Sequence, residues 1–298
     1  MKHIRRCICG LLAVIVTLSG GILAACSNET DVSPPNHLEP PLPDTGTDNG
    51  QTPDSETPSP PTPNPEPTPT PTPEPEPEQK PEPEPETAYA EYIRCTGDNV
   101  NIRAGAGTSY AVLGWAEKNT TYAVIGKTGD WYKTYYRGKT AYISASYAAV
   151  LSLEKSENKQ IETVLEEGYK LIGVPYVYGA VRLHDGNGHF LSGFTTQKFD
   201  CSSLVQYVFY KGANAVLQVN TRTQVKQGRY VSKGNLQRGD CIYFTNESRQ
   251  HLTGVERVGH VAIYLGNDYI LHTASDYARI EKMSATRWKF YVEARRFI

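Results

Sequence analysis

Cysteine is scarce in this 298-residue chain, and its six copies, at positions 7, 9, 26, 95, 201 and 241, share no repeated spacing. That excludes a small disulfide-framed domain, and a bridge between Cys95 and Cys241 has no framework behind it. Long apolar runs are missing too. The stretch ending at Ile22 is short and broken by glycines, which fits a cleaved leader and not a membrane-spanning helix. Proline is almost absent from residue 88 onward, where Pro175 stands alone and is expected to fix a tight turn; the other 20 lie between Pro34 and Pro85. Metal-ligand spacing is also lacking. His184, Asp185, Asn187 and His189 crowd one polar stretch at no spacing that suits a metal, so no metal site is expected there.

What is present falls into four parts. Lys2, Arg5 and Arg6 precede the apolar run, and Leu23-Ala24-Ala25-Cys26 follows it. The last four resemble the lipobox of bacterial lipoproteins. The resemblance implies that residues 1–25 are a signal peptide, that Cys26 is lipidated, and that the protein works outside the cytoplasmic membrane on a lipid anchor. Residues 26–87 have no periodic apolar pattern and are rich in Pro, Glu and Thr. Such a segment cannot bury enough apolar surface to fold and reads as a disordered stalk. At ~3.1 Å per residue, its roughly 50 proline-bearing positions could reach on the order of 150 Å.

Charge divides the same way. Residues 27–87 carry 14 Asp and Glu against Lys80 alone, a net of −13; residues 88–298 carry 26 Lys and Arg against 18 Asp and Glu, a net of +8. Outside a cell, a basic body suits anionic wall polymers or membrane surfaces, and nucleic acid is not an expected partner.

Residues 88–152 read as short strands broken by Gly97-Asp98, Gly105–Gly107, Gly129-Asp130 and Arg137-Gly138, which suggests a small all-β barrel. Val100-Asn101-Ile102-Arg103-Ala104-Gly105, Gly129-Asp130-Trp131-Tyr132-Lys133 and Thr140-Ala141-Tyr142-Ile143 together resemble the bacterial SH3-like domain. That resemblance implies a module that binds wall peptides or shapes a neighbouring cleft. Its tyrosines and Trp131 are read as core first and binding surface second.

Residues 153–298 hold the candidate chemistry. An amphipathic helix is expected from Glu154 to Ile172, capped by Ser156 and ended by Gly173; residues 182–198 read as a polar loop or hairpin. A second helix is expected over Phe199–Gly212, with Asp200 as N-cap and Gly212 as its end. Cys201 then lies in the first turn, where the helix dipole favours a thiolate; the other reading is a small buried hydrophobe. Cys241 sits at an apolar strand position and reads as core. His260 opens the alternating strand Gly259–Gly266, and His272 lies on the strand that returns from Asn267-Asp268. A nucleophilic cysteine needs a base and a group to orient the base, and these two histidines supply both if they share a face. A three-residue loop, Gly266–Asp268, pairs 272 with 262 and puts them on one face; a two-residue loop points them apart.

Residues 160–298 are similar to the NlpC family of papain-like cell-wall peptidases. The resemblance rests on Pro175-Tyr176-Val177-Tyr178-Gly179, Asp200-Cys201-Ser202-Ser203-Leu204-Val205, Leu236–Phe244, Gly259–Gly266 and Ile270-Leu271-His272. It implies an α+β fold behind the barrel and stalk, with Cys201 as nucleophile, His260 as base and His272 as the orienting residue. It also implies Tyr176 beside the oxyanion site, Asp200 and Ser202 lining the substrate cleft, and a monomer. The implied substrate is peptidoglycan stem peptide, cut between γ-D-glutamate and a diamino acid. An SH3-like domain ahead of the catalytic one resembles a subgroup that prefers a free N-terminal L-alanine. Asn220 stands where that subgroup often has an aspartate, so the free-amine preference stays open. So do an idle, wall-binding catalytic domain and an amidase or acyl transferase on the same fold.

Overall fold

The computed structural model describes residues 88–298; the expected leader, the Cys26 lipidation site and the proline-rich stalk lie outside the described residues. Eight strands come first: β1 (Tyr89–Cys95), β2 (Val100–Arg103), β3 (Val112–Ala116), β4 (Thr121–Ala123), β5 (Gly126–Thr128), β6 (Trp131–Tyr136), β7 (Lys139–Ser144) and β8 (Ala148–Glu154). Strict alternation drives the clearest of them: in β6 Tyr132, Thr134 and Tyr136 turn inward while Trp131, Lys133 and Tyr135 face outward. Tyr92, Tyr122, Tyr132 and Tyr136 are buried, whereas Tyr89, Tyr110, Tyr147 and Trp115 are exposed, so the reading of most barrel tyrosines as core is corrected: four of the nine are.

The C-terminal part adds α1 (Lys159–Lys170), α2 (Cys201–Ala213), α3 (Thr221–Gln224), β9 (Arg229–Val231), β10 (Cys241–Phe244), β11 (His260–Gly266), β12 (Tyr269–Ala274), β13 (Tyr277–Lys282), α4 (Ala285–Lys289) and β14 (Tyr291–Arg296). Five barrel strands form one sheet in the order β3-β2-β7-β6-β5. The other three continue into the sheet of the C-terminal part, giving nine strands in the order β8-β1-β4-β13-β12-β11-β10-β14-β9. The joint is a single antiparallel pairing, Thr121 of β4 with Ile280 of β13. One core runs through both parts, from Ile93 and Tyr122 to Val164, Leu204, Val208 and Ile263. A smaller one, built on Ile242, Phe244, Ala262 and Ile270, lies on the other face beneath Trp288 and Tyr291.

Three further expectations are corrected here. The first helix begins at Lys159 with Asn158 as N-cap, because the Asn158 side chain accepts from the Gln160 N–H. Ser156 instead accepts from the Asn158 N–H, and residues 148–154, part of which had been read as the helix start, extend β8 along β1. Gly212 does not end α2. A Cβ there would stand 2.5 Å from the Val164 backbone, so the glycine lets α1 and α2 touch, and Asn214 at φ 53° is the left-handed cap.

The barrel also caps α1. Gly138 N–H donates to the Lys170 carbonyl (2.7 Å), Arg137 N–H to the Ile172 carbonyl (2.8 Å), and the Arg137 guanidinium Nε to the Gly173 carbonyl (2.8 Å). Carbonyls that a helix end leaves without partners are thus satisfied from the β6–β7 turn.

Candidate active site

Asp200 starts the site. Its Oδ1 accepts from the Ser203 N–H (2.8 Å) and the Ser203 hydroxyl accepts from the Asp200 N–H (2.9 Å), a capping box that fixes where α2 begins. Cys201 is therefore locked into the first turn, 8% exposed. Asp200 Oδ2 accepts from Arg182 Nη2 (2.8 Å) and from the Gly179 N–H (3.2 Å). Arg182 uses four of its five donors here: beyond Asp200, Nε donates to the Val219 carbonyl (2.7 Å), Nη1 to the Ala180 carbonyl (2.7 Å), and Nη2 also reaches the Ser202 hydroxyl (3.3 Å). The Ser202 hydroxyl donates in turn to Asp200 Oδ1 (3.0 Å).

Tyr176 sits against this corner. Its strand segment bridges to Phe199, and its N–H donates to the Asp276 carbonyl (2.8 Å). Burial pushes the Tyr176 hydroxyl up to about 12, and a charge on Cys201 or Asp200 would push the same way.

The two histidines meet by an unexpected route. Asn267 and Asp268, both at positive φ, form the two-residue turn that should have pointed them apart. A bulge at Leu265 restores the register: Gly266 pairs with Tyr269, but Tyr264 pairs with Ile270 and Ile263 with Leu271. His260 and His272 thus share a face, and His260 Nε2 lies 3.0 Å from His272 Nδ1. Past Ile263–Leu271 the β11–β12 ladder stops, and the Val261 backbone stands near enough to the Cys201 sulfur to favour its charged form. The sulfur thereby lies at the residue next to His260, where two strands part.

Behind His272 stands a pair that sequence reasoning missed. Glu281 Oε1 lies 3.2 Å from His272 Nε2, an off-axis contact, and 2.7 Å from Arg287 Nη2. Glu281 is on β13, whose register sets Arg279 opposite His272 and Glu281 on the same face one pair further along. A third strand returning from Ser275-Asp276 was the signal available for it.

Burial decides the charge states. It pushes the Cys201 thiol up to about 12; the nearby Asp200 carboxylate adds to this, while hydrogen bonds from the Val261 and Ser202 backbone oppose it. The expected helix-start thiolate is therefore corrected: desolvation outweighs the dipole. Burial also drives His260 well below the ordinary histidine range, with His272 and Arg287 adding to it. His272 is lowered by burial too, against the raising pull of Glu281. Burial alone would raise Glu281, but hydrogen bonds and charge from His272 and Arg287 hold it down at about 2. Burial thus favours the uncharged thiol and the uncharged imidazoles, while Glu281 is held toward its carboxylate.

The remaining candidates lie apart from this chain of groups. Asn220 is the N-cap of α3, its Oδ1 accepting from the Arg222 and Thr223 N–H groups. The buried Gln224 side chain donates to the Ser202 carbonyl (3.0 Å), which holds that segment against α2. Asp185 and His189 pair with each other at 2.9 Å in the 182–198 loop, and His184 is buried against Tyr210. Cys95 and Cys241 are buried free thiols.

Residues 173–296 match the NlpC/P60 family and residues 98–149 the bacterial SH3 domain. The chain carries an NlpC/P60 domain behind a bacterial SH3 domain. Among curated relatives, a gamma-DL-glutamyl hydrolase of Bacillus subtilis is 31% identical over 51% of this chain and 32% of its own length. The peptidoglycan DL-endopeptidase CwlO of Bacillus licheniformis is 30% identical over 46% of this chain and 28% of its own. The chain thus spans about a third of the length of these relatives. A solved NLP/P60-family structure from Staphylococcus aureus is 25% identical, with a TM-score of 0.38, covering 52% of this chain and 46% of that one. The NlpC/P60 match encloses Cys201, His260, His272 and Glu281 alike.

Proposed function

We propose that the protein is a cysteine endopeptidase that hydrolyses peptidoglycan stem peptides at the γ-D-glutamyl–diamino acid bond. The observation that carries this is Cys201 at a capped helix start, its sulfur near the Val261 backbone next to a His260–His272 pair 3.0 Å apart. The names of the relatives, a glutamyl hydrolase and peptidoglycan endopeptidases, support the substrate class.

In this reading His260 takes the thiol proton as sulfur attacks the amide carbonyl, so the nucleophile forms only during reaction. The backbone N–H of Cys201 and the Tyr176 hydroxyl stabilise the oxyanion, and such donors are typically worth 10²–10³ in rate each. The imidazolium of His260 returns the proton to the leaving amine, and water then hydrolyses the thioester. No step calls for a cofactor.

Asp200 bears on the choice of peptide. A free N-terminal amine needs a carboxylate to receive it, and Asp200 already holds Arg182 and its own helix start. Asn220, capping α3, is uncharged. The cleft therefore favours stem peptides whose first alanine is still acylated, as in intact wall. The leader and Cys26 would hold the enzyme at the envelope on a lipid anchor.

Purified wall digested by the full chain and by Cys201→Ala, followed by mass spectrometry, tests the reading. A new free diamino-acid amine, absent with the variant, is the expected product. Release at the sugar–peptide amide would make the protein an amidase, and no cleavage by the wild type would leave a binding role.

A further inference from the structure

Two histidines in contact form a relay only if their protons are arranged in one direction, and that arrangement needs an end group. Between His260 Nε2 and His272 Nδ1, 3.0 Å apart, one nitrogen donates and the other accepts. Nothing in that pair alone decides which. The decision comes from behind. The Glu281 carboxylate, 3.2 Å from His272 Nε2, can only accept while it is ionised, and Arg287 at 2.7 Å keeps it so. His272 therefore holds its proton on Nε2 and presents a bare Nδ1. His260 must then donate from Nε2, which leaves its own Nδ1 as the lone-pair nitrogen of the ring. A base with its lone pair on the opposite nitrogen would have nothing to give the thiol.

We infer that Glu281, held by Arg287, is the positioning residue that sets the tautomers of His272 and His260 and so makes His260 a base toward Cys201. This rests on the proposed reading of Cys201 and His260 as the reacting pair. Only the His260–His272 hydrogen bond and the ionic contact of His272 with Glu281 are involved: when the thiol proton reaches His260, the positive charge formed there is stabilised through His272 by the Glu281 carboxylate.

The groups around the relay come from four elements. His260 on β11 faces His272 on β12; Glu281 and Arg279 come from β13; Arg287 comes from α4. Arg279 is turned toward Asp276 (2.8 Å) and the Tyr277 ring, so Glu281 and Arg287 act most directly. Their signs are opposite. Glu281 favours the protonated imidazoles and Arg287 disfavours them.

Two variants and one spectroscopic readout separate this role from a structural one. Glu281→Gln removes the charge and can offer either a donor or an acceptor to His272. It is expected to lower kcat at least ~10-fold with little change in KM, since the orienting group of a base is lost. The acid limb of its kcat/KM profile should move to lower pH. Arg287→Met should move that limb to higher pH, and Glu281→Asp should recover part of the rate. A packing defect would not shift the limb in opposite directions. Independently of any substrate, ¹⁵N-histidine NMR of the full chain should show both His260 and His272 carrying their proton on Nε2. In Glu281→Gln the His272 signal should turn to a mixture.

A wild-type His272 protonated on Nδ1, or a Glu281→Gln profile identical to wild type on cleaved wall peptides, would overturn the inference. If the tautomers are as stated and wall is not cleaved, the proposed function falls and the assignment of Glu281 stands.

Discussion

At the scale of single residues, the sequence located the nucleophile candidate but misjudged its resting charge. A cysteine after an N-capping aspartate carries a strong local signal, and the dipole argument makes it a thiolate. The burial of Cys201 depends on where Tyr176, β11 and the β11–β12 splay come together, which no local window contains. With burial pushing the thiol up to about 12, the uncharged form is favoured near neutral pH. Iodoacetamide should therefore modify Cys201 slowly at pH 6–7, and the rate should keep climbing above pH 9 where an ordinary cysteine has levelled off. A plateau near pH 8 would show a far lower thiol. Half-buried His260 and buried His272 set an acid limit. In the unfolded chain they gain protons as pH falls through about 6.5, while in the folded chain they stay neutral to lower pH. Stability is thus fully present above that value and drains as pH falls below it. Glu281, held at about 2, adds a second loss below its ordinary 4.5. Denaturant midpoints measured from pH 7.5 down to 4 should fall, and the slope should lessen in His260→Ala/His272→Ala.

At the scale of elements, the helix and strand patterns were legible and the contacts between them were not. The N-end of α2 was readable because a capping box is written within four residues, Asp200 to Ser203. Its C-end was misread because glycine has two uses, and only the structure says which operates at 212. The distinction gives a sharp test. Glycine to alanine inside a helix normally gains about 1 kcal/mol. At Gly212 the added Cβ would lie 2.5 Å from Val164 N and Cα, backbone atoms that cannot rotate away. Gly212→Ala should therefore lose ~1–3 kcal/mol by forcing α1 and α2 apart. Asn214→Gly, at the left-handed position that really ends the helix, should be tolerated or slightly stabilising. Urea melts of the two variants decide it, and a stabilised Gly212→Ala would refute the close approach. The hairpin holds a comparable lesson. Loop length alone would have separated His260 from His272, and one extra residue, Leu265, brings them together.

At the scale of the whole molecule, the sequence reads as two folded parts, while the structure joins them through one sheet, one core and one buried polar node. Arg238 is the centre of that node. Its guanidinium reaches Glu162 on α1 (2.7 and 2.9 Å), the Leu265 carbonyl (3.0 Å), and the hydroxyls of Tyr92 on β1 and Tyr169 on α1 (2.9 and 3.0 Å). The two tyrosines are themselves 2.6 Å apart. These partners come from residues 92 to 265, so no local pattern could announce the node. Losing one member of a fully buried pair costs ~3–5 kcal/mol. The Glu162 side chain is 25% exposed, so water takes up part of its stranded charge and Arg238→Met should cost less than that range. The more telling consequence is cooperativity. Because the β6–β7 turn caps α1 and β4 continues the catalytic sheet, the barrel cannot melt without uncapping the helix that supports Cys201. Calorimetry of the full chain should give a single transition for residues 88–298, and tryptophan fluorescence from Trp115 and Trp131 should follow the same curve as loss of wall cleavage. In Arg238→Met the node no longer ties the parts together, and the transition should broaden or split. Two separate transitions in the wild type would mean that barrel and catalytic domain are merely neighbours.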